Sequence, residues 1–182
     1  MKELLKNRKV AIGITALLVI LSTLVGSHRS MEAEAYPIER YFIEGNDGYS
    51  IQRDLDTRLG LAKNLMIIAE RNLGEYDLAV AELQSAIQAM EQAETVKEKA
   101  AANQQLTAAT ERLNLVLEDC ALSRTDERYR IRIHTDLASC NQTISHDKYN
   151  ELATAYNTEV LGKFPANVLK LVNGVSELET FN

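Results

Sequence analysis

The chain has 182 residues, a formal net charge of −6 and hydrophobic residues at 46% of its positions, which suits one folded domain with a sizeable core. Only 2 prolines and 8 glycines, with no tryptophan and many strong helix formers, indicate an all-α protein. Residues 1–9 carry a net charge of +3, so the remainder carries −9. An acidic body disfavours nucleic acid as a partner, because binding a phosphate backbone needs a surplus of Lys and Arg.

Residues 10–26 form an uncharged apolar run that follows a short basic N-terminus at residues 1–9. This arrangement predicts a transmembrane helix in contact with membrane lipid. Its residues rise about 25 Å, and the basic side chains before it can extend that reach by snorkelling. The alternative is a cleaved signal peptide, because residues 33–35 read AEA. The apolar run is longer than such a leader usually has and ends far from that site, which favours a retained anchor.

Basic residues are unequally distributed on the two sides of this run. Four Lys or Arg residues precede it, and only Arg29 and Arg40 follow closely. Because cytoplasmic flanks carry the excess of Lys and Arg, the N-terminus is expected in the cytoplasm. The sequence therefore predicts a single-pass membrane protein whose body is extracytoplasmic.

Residues 27–48 predict a connector between the membrane helix and the folded body. Pro37, in the sequence YPIER, is expected to break any helix there. The sequence EGNDG at residues 44–48 supplies turn residues. A helical bundle is expected to occupy residues 49–182.

Three amphipathic helices are predicted next, from apolar residues spaced three and four apart. The first spans about 50–72 and ends at Gly74, the second begins near Tyr76, and the third covers about 102–117. Residues 91–99 are charged and weakly apolar, so they form either a turn or a solvated continuation. The predicted inward positions are Leu55, Leu61 or Ala62, Leu65, Ile68, Ala69, Tyr76, Ala79 or Val80, Leu83, Ile87, Met90, Ala102, Leu106, Ala109, Leu113, Val116 and Leu117.

After a turn at residues 123–128, one long last helix is predicted as far as Val160. Its apolar stripe includes Ile133, Leu137, Cys140 and Ile144, and shifts register before Tyr149. Long helices with short connections predict an antiparallel up-and-down bundle. An extended intermolecular coiled coil would need heptads without such a shift.

Two cysteines, Cys120 and Cys140, are the only thiols of the chain. In an antiparallel bundle they would lie roughly 18 Å apart, beyond the ~7 Å that a disulfide allows between Cα atoms. Two separate, partly buried thiols are therefore expected.

The pair Tyr-Asn occurs twice, seven residues apart. Seven residues turn a helix by about 700°, so Tyr149 and Tyr156 share one face, and Asn150 and Asn157 lie one position round. A buried tyrosine hydroxyl requires a hydrogen-bond partner. The two Tyr-Asn steps are therefore expected to fix the register of this helix against its neighbours.

Phe164 and Pro165 predict the end of the last helix, because a residue before proline disfavours helical geometry. Pro165 followed by ANVLKLV suits the first turn of a new short helix that folds back. Asn167 is a candidate cap for it.

The stretch YNELATAYNTEVLGKFPANVLKLVNG resembles the C-terminal signature of the LemA family, which reads approximately Y-N-x-x-V-x-x-Y-N-x-x-I-x-x-F-P-x-N, followed by a Gly-Phe step. The matching residues are Tyr149, Asn150, Tyr156, Asn157, Val160, Phe164, Pro165, Asn167 and Gly174, and Phe181 lies near the terminal aromatic of the family. The sequence RLGLAKNL echoes a second family motif, R-x-x-L-[IV]-P-N-L, through Arg58, Leu61, Asn64 and Leu65.

Three departures accompany this resemblance. Lys63 replaces the proline of the second motif, no tryptophan precedes that motif, and Val175 stands where phenylalanine is common. The resemblance nonetheless covers nearly the whole chain. It implies a membrane-anchored antiparallel bundle without an established enzymatic activity, in a family linked to envelope and membrane-organelle roles in bacteria. It also makes Arg58 and Asn64 the best binding candidates, although packing or capping is the more conservative interpretation.

The sequence predicts no catalytic residue, no metal site and no cofactor. His134 and His146 lack the Glu-x-x-His spacing of metal sites in bundles and lie about 120° apart round one helix. The nucleophile-elbow, P-loop, zinc-protease and dinucleotide motifs do not occur. We therefore expect a non-enzymatic protein that binds unidentified protein partners as a scaffold at the cell envelope. The alternative is an extracytoplasmic sensor-like bundle that binds a small ligand.

Overall fold

The computed structural model describes residues 8–46, 48–73 and 77–182. Helices joined by short connections, with a non-helical segment at residues 175–182, make up this part of the chain, which confirms the all-α prediction. It divides into two compact units. The anchor unit contains the chain up to Glu39 together with Glu151–Leu178, and the bundle unit contains Arg40–Asn150 together with Glu179–Asn182.

The first helix, α1, spans Arg8–Glu44. It contains an apolar window with a mean hydropathy of 2.3, the one stretch among the described residues that is long and apolar enough to cross a membrane. Large side chains of this window are exposed, with Leu17, Leu18 and Val19 between 56% and 59% accessible. A core helix of a soluble domain would bury such side chains. α1 therefore has the composition and the exposure of a membrane helix.

Pro37 lies inside α1, so the predicted break at this residue is wrong, and the segment predicted as a connector is helical as far as Glu44. Proline removes one helical hydrogen bond, which here frees the carbonyl of Ala33. Pro37 and Ala33 are both exposed, where water can satisfy that carbonyl. Packing of Met31 and Ile38 into the core of the anchor unit offsets the lost bond.

A tight turn follows α1, as the sequence predicted. Gly45 adopts a left-handed conformation with φ of 64°, and Asn46 and Tyr49 exchange two backbone hydrogen bonds of 3.1 Å. Helix α2 then spans Ile51–Asn72. The side chain of Ser50 caps α2 by accepting a hydrogen bond from the backbone N–H of Arg53. The predicted end signal of this helix, Gly74, lies outside the described residues.

Helices α3 and α4 span Leu78–Gln92 and Val96–Glu118. Tyr76, the predicted start of the second amphipathic helix, lies outside the described residues, and the cap of α3 is Asp77. Between the two helices the chain turns, which decides the choice left open for residues 91–99. Thr95 and Glu98 form a reciprocal capping box at the start of α4.

Helix α5 spans Arg124–Ser145, and α6 spans Tyr149–Ala155, with a π-helical turn at Tyr156–Val160. The predicted single last helix is therefore wrong. It breaks at residues 146–148, where the apolar stripe changes register. The carboxylate of Asp147 accepts a hydrogen bond of 2.7 Å from the backbone N–H of Tyr149, which begins the new helix.

The core of the bundle unit lies between α2, α3, α4 and α5. It follows the predicted stripes except at Val116, which is only partly buried, and Ala62 is fully buried where Leu61 was the alternative. Cys120 and Cys140 are free thiols of intermediate exposure, as predicted. The buried apolar side chains of the four helices are Ile51, Leu55, Ala62, Leu65, Met66, Ile68, Ala69, Ala79, Val80, Leu83, Ala86, Ile87, Met90, Ala100, Ala102, Leu106, Ala109, Leu113, Leu117, Ile133, Leu137 and Ile144.

The anchor unit has a smaller core, formed by Met31, Tyr156 and Leu161. Helix α7, Ala166–Asn173, contributes Ala166 and Leu169 to it. The helix begins after Pro165, as predicted, and its cap makes no side-chain hydrogen bond. The predicted capping role of Asn167 is therefore wrong, because Asn167 lies within the first turn, beyond the capping position.

Candidate functional site

Arg58 of the second family motif lies in the core of the bundle unit and is 1% exposed. Its Nη1 donates to the backbone carbonyl of Leu137 at 2.7 Å, and its Nη2 donates to Oγ1 of Thr107 at 2.7 Å. Thr107 in turn donates to the carbonyl of Asn103 at 2.8 Å. One guanidinium thus joins α2, α4 and α5, which indicates a structural role for this motif residue.

Nearby groups of the bundle partly oppose the effect of burial on the charge of Arg58. Burial lowers the pKa of its guanidinium, while Cys140, Glu111 and Asp54 act in the opposite direction. The same surroundings act on the thiol of Cys140. Burial raises its pKa, Asp54 raises it further, and Arg58 lowers it. Cys140 is therefore a poor nucleophile, since only a thiolate reacts readily.

A second buried arginine was not predicted from the sequence. Arg130 of α5 is 6% exposed, donates to Oδ1 of Asn114 at 2.8 Å and makes two hydrogen bonds to the carboxylate of Glu127. The signal that would have identified it is its spacing, three residues before Ile133 and seven before Leu137 on the apolar stripe. Arg58 has the same kind of position on α2.

Tyr149 and Asn150, the first Tyr-Asn pair, hold the last residues of the chain in the bundle unit. The hydroxyl of Tyr149 donates to the carbonyl of Glu179 at 2.8 Å. The amide of Asn150 donates to the carbonyl of Phe181 at 2.8 Å and accepts from its N–H at 2.7 Å. The ring of Phe42 lies 5.1 Å from that of Tyr149 and 6.0 Å from that of Phe181. The asparagine therefore pairs with the backbone as a neighbouring strand would.

The second Tyr-Asn pair acts similarly within the anchor unit. Asn157 donates to the carbonyl of Leu178 at 2.8 Å and accepts from its N–H at 2.8 Å. The hydroxyl of Tyr156 donates to the carbonyl of Met31 on α1 at 3.1 Å. Burial raises the pKa of Tyr156, and the nearby Glu34 raises it further. The hydroxyls of Tyr149 and Tyr156 therefore both have the hydrogen-bond partner that was expected for a buried tyrosine.

The remaining residues of the C-terminal motif surround the start of α7. Phe164 is 83% exposed, and a cis peptide bond joins it to Pro165. Asn167 is partly buried in the first turn of the helix. An exposed phenylalanine beside a short helix is the feature of this motif that packing does not explain.

Asn64, the other candidate of the second motif, does not accompany Arg58 into the core. It is exposed and lines a groove of about 440 Å³ between α2 and α5, which we call the α2–α5 groove. Ile67 and Tyr129 also line it and are 48% and 56% exposed. The full lining is Leu61, Asn64, Ile67, Ile68, Arg71, Thr125, Asp126, Tyr129, Arg132, Ile133 and Asp136.

The charged residues of the α2–α5 groove are paired with each other. Arg71 lies 3.3 Å from the carboxylate of Asp126, and Arg132 lies 3.6 Å from that of Asp136. The groove therefore presents aliphatic and aromatic surface, one amide and no unbalanced charge. The sequence analysis assigned Ile68 and Ile133 to the core but gave Ile67 and Tyr129 no role, so it did not predict the groove.

A second cleft of the bundle unit is polar. It has a volume of about 450 Å³ and includes Tyr41, His146 and Asp147 among its lining residues. Burial raises the pKa of Asp147, whereas the hydrogen bond from the N–H of Tyr149 lowers it. The complete lining is Tyr41, Asn46, Tyr49, Ser139, Gln142, Thr143, His146, Asp147 and Lys148.

Metal-ligating side chains do not gather in the described ranges, where no group of three or more His, Cys, Asp and Glu residues could hold an ion. His134 and His146 lie on one helix and its C-terminal cap.

The family comparison agrees with the C-terminal motif and with the bundle. The model of the LemA family matches residues 49–182, which is well over half of the chain. No curated protein matches the chain. Together with α1, the match fits a membrane-anchored helical protein. The resemblance noted in the sequence is confirmed, and the chain belongs to the LemA family.

Proposed function

We propose that the protein is a single-pass membrane scaffold whose helical bundle lies outside the cytoplasm and binds a protein partner in the α2–α5 groove, without catalysis. α1 supplies the anchor, retained in the mature protein, and the charge difference across its apolar run supports the orientation. The observation that carries the binding role is the exposed apolar lining of the groove.

Exposure of Ile67 and Tyr129 in one concave surface is unfavourable unless a partner covers them. Interfaces are enriched in aromatic side chains that insert into pockets, whereas charged residues concentrate at the rim. The α2–α5 groove exposes the aliphatic and aromatic side chains of Ile67 and Tyr129, and its charged residues Arg71 and Asp126 pair with each other. A partner segment with aliphatic or aromatic anchors on one helical face matches it best. The amide of Asn64 offers a hydrogen bond to such a segment.

Site-specific photocrosslinking in intact cells tests this role. A photoreactive amino acid at Ile67 or Tyr129 should give discrete adducts with one protein, and the same probe at Leu115 should not. Leu115 is a matched control because it is 63% exposed on α4, away from the groove. The captured protein should then bind the purified full chain in detergent, and Ile67→Glu should weaken that binding roughly tenfold or more. Equal adducts at all three positions, or none at the groove, would refute the proposal.

Cysteine labelling with a membrane-impermeant reagent tests the orientation. In a Cys120→Ser/Cys140→Ser background, Glu118→Cys should react in intact cells and Asn7→Cys only after permeabilisation. The reverse pattern would place the bundle in the cytoplasm. If mass spectrometry shows that the mature protein lacks its N-terminal residues, the apolar segment is a cleaved leader and not a retained anchor.

The polar cleft supports a second candidate function, binding of a small ligand by a sensor-like bundle. Its volume lies in the range of small-molecule sites, and His146 and Asp147 offer both a donor and an acceptor. A thermal-shift screen of polar metabolites on the full chain distinguishes the two roles. A ligand at a hundred times its dissociation constant would add ~2.7 kcal/mol to the stability. Asp147→Asn should abolish that gain, and Ile67→Glu should not.

A further inference from the structure

Helix α7 is amphipathic with its more apolar face outward. Within the helix, Val168, Leu171 and Val172 follow the spacing i, i+3 and i+4, which places them on one face. They are 53%, 78% and 64% exposed, and Phe164, two residues before the helix, is 83% exposed. The opposite face, through Ala166 and Leu169, packs against the core of the anchor unit. A surface helix in water would carry polar residues at the exposed positions.

The C-terminal end of α7 lies beside the end of the predicted membrane span. Nδ2 of Asn173 donates to Oγ of Ser27 at 2.9 Å and approaches the carbonyl of Leu24 at 3.2 Å. The apolar run of α1 ends at Gly26, and charged residues begin at Arg29. Asn173 is therefore attached to α1 at the depth where hydrocarbon gives way to headgroups.

Nothing in the charge of α7 opposes contact with a membrane. Lys170 pairs with Glu177 at 2.8 Å, and Lys163 pairs with Glu159 one turn before Phe164. The outward face is thus uncharged, and the hydrogen bond from Asn173 to Ser27 holds the end of α7 beside the end of the apolar run of α1. An interfacial helix buries such a face at the boundary of headgroups and acyl chains.

We propose that α7 is a second membrane contact, whose outward apolar face enters the bilayer interface beside the span of α1. Leu171 and Val172, next to Asn173, enter deepest, and Phe164 at the other end enters least. Since the bilayer covers this face, α7 helps to set the membrane position of the anchor unit. The inference rests on the proposed anchoring by α1.

Fluorescence quenching by spin-labelled lipids tests this contact in the full chain, reconstituted as one copy per nanodisc. An environment-sensitive label is placed at Leu171→Cys, Val168→Cys or Phe164→Cys in the Cys120→Ser/Cys140→Ser background. The same label at Thr154→Cys, an exposed position of α6 in the same unit, is the matched control. A label at Leu18→Cys reports on the span itself. Thermal unfolding of each labelled chain verifies that the fold is retained.

The label at Leu171 should lose roughly half or more of its emission to a quencher placed near the headgroups, and less to one at the bilayer centre. Quenching should decrease in the order Leu171, Val168, Phe164, and the Thr154 label should respond to aqueous iodide instead. Iodide quenching at Leu171 without lipid quenching would refute the contact and point to a second copy or another protein as the occupant. Equal lipid quenching at Thr154 would also refute it.

The label at Leu18 separates this inference from the proposed anchor. Quenching at Leu18 by the central quencher, without quenching at Leu171, would overturn the α7 contact and leave the anchor standing. Absence of quenching at both positions would overturn the two together.

Discussion

The guanidinium of Arg58 donates a hydrogen bond of 2.7 Å to the backbone carbonyl of Leu137, a residue 79 positions later in the chain. This bond joins α2 to α5 across a core that is mostly apolar. A second bond from the same group reaches Thr107 on α4. The arrangement makes Arg58 a connector of three helices, and its removal leaves polar groups buried without that partner.

Arg58→Ala should lower the free energy of unfolding by about 2–4 kcal/mol, because it removes two hydrogen bonds from a charged donor and leaves a cavity. Arg58→Lys should cost about half as much, since an ammonium keeps the charge and loses the planar fork. Thermal unfolding followed by circular dichroism, on the full chain in detergent, measures both. Arg112→Ala, which removes an exposed pair with Glu82, should cost at most about 1 kcal/mol. An equal cost for Arg58→Ala would contradict the connector role.

Asn150→Asp should release the end of the chain. The asparagine both donates to and accepts from the backbone of Phe181, and a carboxylate can only accept, so it would face the carbonyl oxygen of Phe181. We expect faster amide exchange at Phe181 and a loss of about 1–3 kcal/mol of stability. Hydrogen exchange with mass spectrometry measures the release. Asn182→Ala removes only the weaker 3.1 Å bond to the same amide and should leave Phe181 protected.

Gly45→Ala should be strongly destabilising, because Gly45 has φ of 64° and an added Cβ would lie 1.5 Å from the carbonyl oxygen of Tyr49. The turn between α1 and α2 would have to rearrange. Gly60→Ala is the opposite case, since nothing lies within 4 Å of its added Cβ in the middle of α2. That change should stabilise the protein by up to about 1 kcal/mol. Midpoints of thermal unfolding should therefore shift in opposite directions, and an unchanged or raised midpoint for Gly45→Ala would show that the turn tolerates a side chain.

Asp147→Asn should change how stability depends on pH. Burial raises the pKa of Asp147 above the ordinary 3.8, so the folded state keeps the proton to a higher pH than the unfolded chain. Stability is therefore lost as pH rises from 3.8 through the raised pKa, and the loss persists above it. The amide keeps an acceptor for the N–H of Tyr149, so the variant should match the wild type in acid and exceed it at neutral pH. Unfolding midpoints across that range measure the difference.

A neighbouring group adds to this effect in the same direction. The pKa of Asp54 is raised by burial and also by the charge of Asp147, so removal of that charge should make ionised Asp54 less unfavourable. Asp119→Asn at the end of α4 controls for the loss of one exposed carboxylate. If Asp119→Asn raises the unfolding midpoint at neutral pH as much as Asp147→Asn does, burial of Asp147 is not the cause of the increase in stability.

Apolar spacing alone determined most of the bundle. Apolar stripes such as Leu83, Ile87 and Met90 fix which face of a helix packs inward. Burial of apolar area is the dominant favourable contribution to folding, and the apolar residues recur with the helical period. The motif resemblance likewise identified the family. The stop at Pro165 and the turn near Gly45 were local properties of proline and glycine, and they were predicted for that reason.

Tertiary contacts decided the remaining features of the fold and the positions of the motif residues. They acted where a local sequence preference was weak or was outweighed. Pro37 stays inside α1 because Met31 and Ile38 gain burial in the anchor unit, a contribution invisible in the neighbouring sequence. Asn150 and Asn157 form hydrogen bonds with backbone groups more than twenty positions away. The repeated Tyr-Asn pair does not by itself show which residues these side chains contact. Arg58 entered the core and Asn64 remained at the surface although one motif contains both, because the free energy of a charged side chain depends on the groups that surround it in three dimensions.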